Sequence, residues 1–318
     1  MSNFFQLIKN EQMKLYHQKA TWIMAILLVV LIVGIGTLLK IDDAITGGEG
    51  PTGDDWKQEL EQQNEQLMSA GEQPPEIQYP AYTNVEMNQY RIENDLKPTP
   101  YNAWDFVRDN RDLVALVSLF TIIVAAGITA NEFRWGTIKL LLIRPISRAK
   151  ILLAKYVSVV IYALGMLFIL YLLSFLVGSL LFGMGSISQT YVYTQAGEIK
   201  DAGIFSFTVS QYLFSFVELI MMATFAFMIA SVFRNTSLAI GLAIFLMMAG
   251  SSIVLFFMDK EWAKYILFAN TDLSQYMAGT PFVSGTSLGF SIAVLAVYYV
   301  VFMVLSWGFF TKRDVAGS

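Results

Sequence analysis

The sequence predicts an all-α polytopic membrane protein: six transmembrane helices, an N-terminal interfacial amphipathic helix, and a small, mainly helical outer domain between spans 1 and 2. Three observations carry this. Of 318 residues, 55% are hydrophobic and only 14% charged, where soluble domains run about 45–50% apolar and roughly 25% charged. The apolar residues gather into runs near or above the ~20 needed to cross a bilayer as a helix. Twelve of the 21 basic residues fall on one side if there are six such runs, with only three acids beside them.

Residues 1–20 are too polar to span, yet Phe4, Leu7, Ile8, Leu15 and Tyr16 recur at helical spacing among Lys9, Lys14 and Lys19, with Met13 on the polar side. A helix lying along the inner membrane surface fits. A signal peptide does not, because no small-residue cleavage site follows the apolar run. Span 1 is 21–39, with Trp22 and Lys40 at its ends and Gly34 and Gly36 permitting close helix contact.

Residues 40–112 carry sixteen acidic and six basic residues. After a Gly/Pro-rich linker, residues 54–70 and 84–96 read as helices, separated by GEQPPE. With few aliphatic residues for a core of its own, this acidic segment is expected to pack on its own spans or on a partner. Trp104 and Phe106 then stand as an interfacial collar before span 2, 113–130. A polar stretch, 131–150, leads to span 3, 151–182, which is too long for one crossing unless it protrudes, tilts, or bends at Gly165 or Gly178. A polar, turn-rich outer loop, 183–211, precedes span 4, 212–233. Span 5 is 237–258, an outer loop covers 259–287, span 6 is 288–310 and the tail is 311–318.

Lys9, Lys14, Lys19, Arg134, Lys139, Arg144, Arg148, Lys150, Lys155, Arg234, Lys312 and Arg313 share one side, with only Glu11, Glu132 and Asp314 as acids. That side is the cytoplasm, so both termini are cytoplasmic and 40–112 is outside.

The chain has no cysteine and one histidine, His17, which excludes disulfides and Cys- or multi-His metal sites. No phosphate-binding loop, HExxH or GxSxG pattern occurs. No catalytic, cofactor-binding or metal-ligating residues are predicted, and no nucleic-acid contact.

In 131–150 (NEFRWGTIKLLLIRPISRAK), Gly136 and Thr137 interrupt a helix-forming run and Pro145 ends the segment. Ser147 is suited to cap the next helix, with Ile146 and Ile151 as a hydrophobic staple. Arg148 and Lys150 then sit in a first turn, where the helix dipole disfavours cations. Two readings stay open from the residues alone: contact with anionic lipid headgroups, or docking to an acidic groove on a partner.

The order Glu132, Gly136-Thr137, Leu141-Leu142, Pro145, Ser147-Arg148, then Lys150 and Lys155, resembles the first cytoplasmic loop of the type-2 family of ATP-binding-cassette (ABC) membrane permeases. Six spans with both ends inside also resemble that family, in a variant with an outer domain between the first two spans. The resemblance implies a permease in the cytoplasmic membrane of a bacterium, paired with a second permease as homo- or heterodimer. It implies two copies of a separate ABC ATPase, which hold ATP and Mg, so that this chain is itself no enzyme. Glu132, Arg134, Gly136, Thr137, Lys139, Arg144, Pro145, Ser147, Arg148 and Lys150 would then form the contact that receives the ATPase stroke. The implied function is export of a peptide, antibiotic, lipid or drug.

A signalling or mechanical relay driven by such an ATPase is the alternative, and a secondary transporter the third. The third is disfavoured because Glu218 is read as the one ionisable group inside a span. Glu218 lines a transport path or holds helices together.

Overall fold

The computed structural model describes residues 2–46, 50–70, 79–134, 136, 146–277, 279 and 281–312. Six helical stretches among them are long and apolar enough to cross a membrane, and the chain is a multi-pass membrane protein.

Helix α1 (Ser2–His17) is followed by α2 (Lys19–Thr46), α3 (Trp56–Ala70) and α4 (Tyr79–Glu93). A capped helix α5 (Ala103–Asp109) and a 3₁₀ turn (Asn110–Leu113) lead into α6 (Val114–Arg134). Helix α7 (Arg148–Phe182) is continuous, so neither Gly165 nor Gly178 breaks it. A hairpin of β1 (Thr190–Gln195) and β2 (Glu198–Gly203) feeds directly into α8 (Ile204–Phe233). Helices α9 (Thr236–Phe257), α10 (Leu267–Asn270) and α11 (Leu288–Lys312) complete the chain.

Helices α6 and α8 are the core around which the others stand. In the most apolar stretch of each, 67% of the α5–α6 residues and 61% of the α8 residues are buried, against 17% for α2 and for α11. The ring helices therefore turn apolar side chains outward, among them Ile23, Ile26 and Val30 on α2, and Val297, Val301 and Val304 on α11. In a bilayer such faces meet lipid without penalty, because acyl chains are as apolar as leucine. For the same reason helix association within the membrane rests on close packing and interhelical hydrogen bonds.

Both are present. Tyr156 on α7 bonds Thr224 on α8 at 2.8 Å, and Tyr212 on α8 donates to the Val107 carbonyl at 2.9 Å. Each such bond contributes about 0.6 kcal/mol on average in membrane proteins. Gly178 lets α5 lie against α7: a Cβ there would stand 3.0 Å from the Ala103 Cα. Gly36 brings α2 onto Val177 and Leu181 in the same way, whereas Gly34 faces open space.

Three sequence expectations need correction. Trp104 and Phe106 are not a collar; both are buried, Trp104 against Phe175 and Phe205 and Phe106 against Phe182. The capping box of Asn102 and Asp105 turns α5 inward onto α7. The loop 183–211 is not merely turn-rich; it holds a two-stranded hairpin, within a chain that is otherwise an all-α polytopic membrane protein. The run TYVYTQ pairs with EIKDAG, and the turn between them has Ala196 at φ 51° and Gly197 at φ 85°, the two positive angles a tight primed hairpin turn requires. Span 4 accordingly belongs to a helix that begins at Ile204 rather than at 212.

Helices α3 and α4 pack on each other through the buried Trp56 and Leu60 and an Asn88 to Asn64 hydrogen bond. Helix α4 also meets the hairpin, where Tyr90 donates to Asp201 at 2.7 Å.

Candidate functional site

Four charged side chains converge where α1, α6 and α7 meet. Helix α1 buries one stripe, Leu7, Glu11 and Leu15, at the i, i+4, i+8 spacing of a single helix face. The middle member is a carboxylate. It is satisfied by Lys155, one of the largest fully buried side chains in the protein, whose Nζ lies 2.8 Å from Glu11, 2.8 Å from Glu132 and 3.0 Å from the Ile128 carbonyl. Lys14 closes the group at 2.9 Å from Glu11 and 3.0 Å from Glu132.

The set is electrically balanced, two cations against two anions, which is the condition under which buried charge is tolerated. Burial works against the Glu11 carboxylate, but Lys155 and then Lys14 outweigh it and hold the carboxyl below its ordinary range. Burial likewise opposes the Lys14 ammonium, and Glu11 and Glu132 prevail, raising it. Gln12 adds a hydrogen bond to the Ser158 carbonyl at 2.8 Å. Helix α1 is thus fastened to α7 and to the last turn of α6.

The same end carries the stretch predicted to be functional. Glu132 does not face outward; it belongs to the buried cluster. Arg134, Gly136, Ser147 and Lys150 are exposed, and Gly136 has a positive φ of 70° that favours glycine. Ser147 occupies the N-cap position of α7, but its side chain makes no capping bond. Arg148 donates to the Thr311 carbonyl at 3.2 Å, joining the start of α7 to the end of α11. Thr137, Lys139, Arg144 and Pro145 lie outside the described residues. Beside Arg134, a cleft of about 520 Å³ is lined by Phe133, Arg134, Arg234, Asn235, Thr236 and Ser237. Arg234 stacks on the Phe133 ring at 4.5 Å.

A second polar group lies at the opposite, hairpin end. Arg111 donates to Gln211 at 2.7 Å, to Ser215 at 3.2 Å and to Ser274 at 3.0 Å. The Ser274 hydroxyl passes the connection on to Asp272. Glu218 follows Ser215 by one turn of α8; it is half-buried, with Arg111 and Asp272 as the charges near it. Glu218 is therefore not the only ionisable residue inside a predicted span, since Lys155 lies within 151–182 and is wholly enclosed.

Sequence reasoning did not find the pairing of Glu11 with Lys155, nor the Arg111 cluster. A lysine inside an apolar run was the available signal for the first. Among the described residues no group of three or more His, Cys, Asp or Glu could hold a metal ion.

A family profile described as "Protein of unknown function (DUF2705)" matches residues 83–316. The chain is 41% identical over 314 residues to "Uncharacterized protein YhcI" of Bacillus subtilis (strain 168), covering 98% of this chain and 99% of that protein. It is 32% identical over 220 residues to "Uncharacterized membrane protein YdbK" of the same strain, covering 68% of this chain and 85% of that one.

Proposed function

This chain belongs to the DUF2705 family, and with that membership as the premise we propose that it is the membrane-spanning permease subunit of an ATP-driven exporter of the ABC type-2 kind. In this reading the end bearing α1 is cytoplasmic, α1 lies at the inner membrane surface, and α3, α4 and the hairpin stand outside. Residues 131–150 are the contact with a separate ATPase, which binds ATP and Mg.

One observation supports it above the others. The loop between α6 and α7 springs from a turn whose Glu132 is gripped by two other helices, while Arg134 and Lys150 flank the loop on the exterior. A contact surface rooted in an electrostatic fastening can transmit displacement into the helix bundle, which a loop that merely meets lipid headgroups has no need to do. The cations beyond the fastening suit an acidic partner groove.

The test is co-purification with a candidate ATP-binding-cassette ATPase co-expressed with this chain, followed by ATP-dependent flux in inverted vesicles. Reversing Arg134 and Lys150 to Glu is expected to abolish ATPase association while leaving the permease folded. Unchanged association would overturn the reading.

A relay in which nothing crosses is the second reading. It is favoured by the direct continuity from the α4-bound hairpin into α8, with no loop between Gly203 and Ile204. Robust ligand-stimulated hydrolysis without flux would select it.

A further inference from the structure

From Phe120 onward helix α6 is buried except at Phe133 and along one stripe, Ile123, Gly127, Asn131 and Arg134, whose members are half-buried or exposed. The spacing of four, four and three residues keeps them on one face over roughly 16 Å. Polarity along the stripe is graded: an aliphatic side chain, a bare backbone, an amide, a guanidinium.

Two cavities follow the same gradient. A groove of about 180 Å³ runs between the α1–α2 turn and α6, with Gln18, Thr21 and Met24 on one side, Ile123 and Gly127 on the other, and Asn131 and Thr236 at its end. The cleft of about 520 Å³ holding Arg134 and Arg234 begins at that same Thr236. Thr236 donates to Asn131 at 2.9 Å, so the two residues form the sill between the spaces. Gly127 keeps the groove open: a Cβ there would meet only the Asn131 side chain within 4 Å. The Arg234 guanidinium carbon lies 4.5 Å from the centre of the Phe133 ring, and a guanidinium presents a planar fork of N–H donors, the geometry that suits a phosphate.

We propose that the adjoining cleft and groove are a binding site for one anionic phospholipid of the bilayer, its phosphate between Arg134 and Arg234 and an acyl chain passing the Asn131–Thr236 sill to lie along Ile123 and Gly127. Arg134 also flanks the proposed ATPase contact, so the lipid site is tested on this chain alone, with no ATPase present, and its failure leaves that contact untouched.

Native mass spectrometry of the detergent-purified protein with added phosphatidylglycerol tests it. The wild type is expected to retain one phosphatidylglycerol and to release phosphatidylcholine. Excess inorganic phosphate should not displace the lipid. The double variant Arg134→Gln/Arg234→Gln is expected to weaken retention by about thirtyfold, taking ~1 kcal/mol for each basic residue near an anionic headgroup. Gly127→Leu, which fills the groove without touching a charge, is expected to weaken it at least tenfold. Lys9→Gln removes an exposed cation from the same end of the molecule and should leave retention unchanged. Arg134→Lys/Arg234→Lys guards against misfolding, because it keeps the charge and should keep measurable retention.

Equal retention of phosphatidylcholine, displacement by phosphate alone, or an equal loss in Lys9→Gln would each overturn the site in favour of diffuse electrostatic attraction. Full retention in Gly127→Leu would overturn the acyl-chain half.

Discussion

At the end where α1 docks, Lys155 meets two carboxylates; at the hairpin end, Arg111 meets three neutral side chains. Both cations are drawn into the protein beside the α6–α8 core, and both join elements far apart in sequence. The difference lies in what each leaves behind if it is removed. Without Lys155, Glu11 and Glu132 stand enclosed as like charges that share the half-exposed Lys14. Without Arg111, the neutral Gln211, Ser215 and Ser274 lose a donor, and Asp272 and the half-buried Glu218 lose a nearby cation that is not hydrogen-bonded to either. Buried charge paired with charge is therefore a fastening of high consequence, whereas charge solvated by dipoles can be rearranged at modest cost. The first arrangement suits a joint that must not slip, the second a place where helices shift against a loop.

Substitutions can break that contrast. The largest effect is expected for Lys155→Ala, which uncouples both pairs and should cost about 3–5 kcal/mol, read as a collapse of the thermal midpoint in detergent and as new protease cleavage in α1. Replacing Glu11 by Leu and Glu132 by Gln in the same chain as Lys155→Met should restore much of the stability, since an uncharged trio of similar volume avoids unpaired charge. If the triple variant is no more stable than Lys155→Ala, the fastening is not electrostatic.

A smaller loss, about 1–3 kcal/mol, is expected for Arg111→Ala, with Arg111→Lys recovering only part of it because an ammonium cannot reproduce a planar three-way fork. A penalty for Arg111→Ala as large as that for Lys155→Ala would erase the distinction between the two ends.

The acid limb of stability should sharpen the contrast further. The Glu11 carboxyl is held below its ordinary value of 4.5, so its stabilisation is complete above that pH and is lost as the pH falls below it. Glu11→Gln should flatten that limb of a thermal-midpoint profile, and an unchanged limb would mean that other carboxylates set it. Smallest of all should be Lys14→Gln. The Lys14 side chain is 49% exposed, and pairs with solvent access to one partner contribute about 1 kcal/mol or less.

The helices were largely legible because hydrophobic runs of membrane-spanning length have few other solutions. What escaped was the side-chain chemistry of the ends. Glu11 reads as one of the acids of a basic segment until its partner, 144 residues away, is known. The apolar stripe of α1 looks irregular for the same reason, since its central position is filled by a carboxylate. Trp104 and Phe106 were misassigned because aromatic rings near a span end serve equally as interface anchors and as core; the decision rests on Gly178, on another helix. The hairpin was readable in principle, for Tyr-Val-Tyr-Thr alternates ahead of a turn ending in glycine. Its polar setting concealed it. In 131–150 the order of residues pointed to a contact, yet not to the inward turn of Glu132, which depends on α1 and α7 together.

The unbroken helix α7 has a mechanical consequence. Its 35 residues make a rod of about 52 Å, fixed near one end through Lys155 and near the other where Ala103 N–H bonds the Gly183 carbonyl at 2.9 Å. A rod of that length pivoting about its midpoint by roughly 5° sweeps each tip about 2 Å in opposite directions. An excursion of that size is comparable to the distance over which an ion pair is made or lost, so a slight tilt of this one lever would be felt as a change of contacts on both sides of the membrane at once.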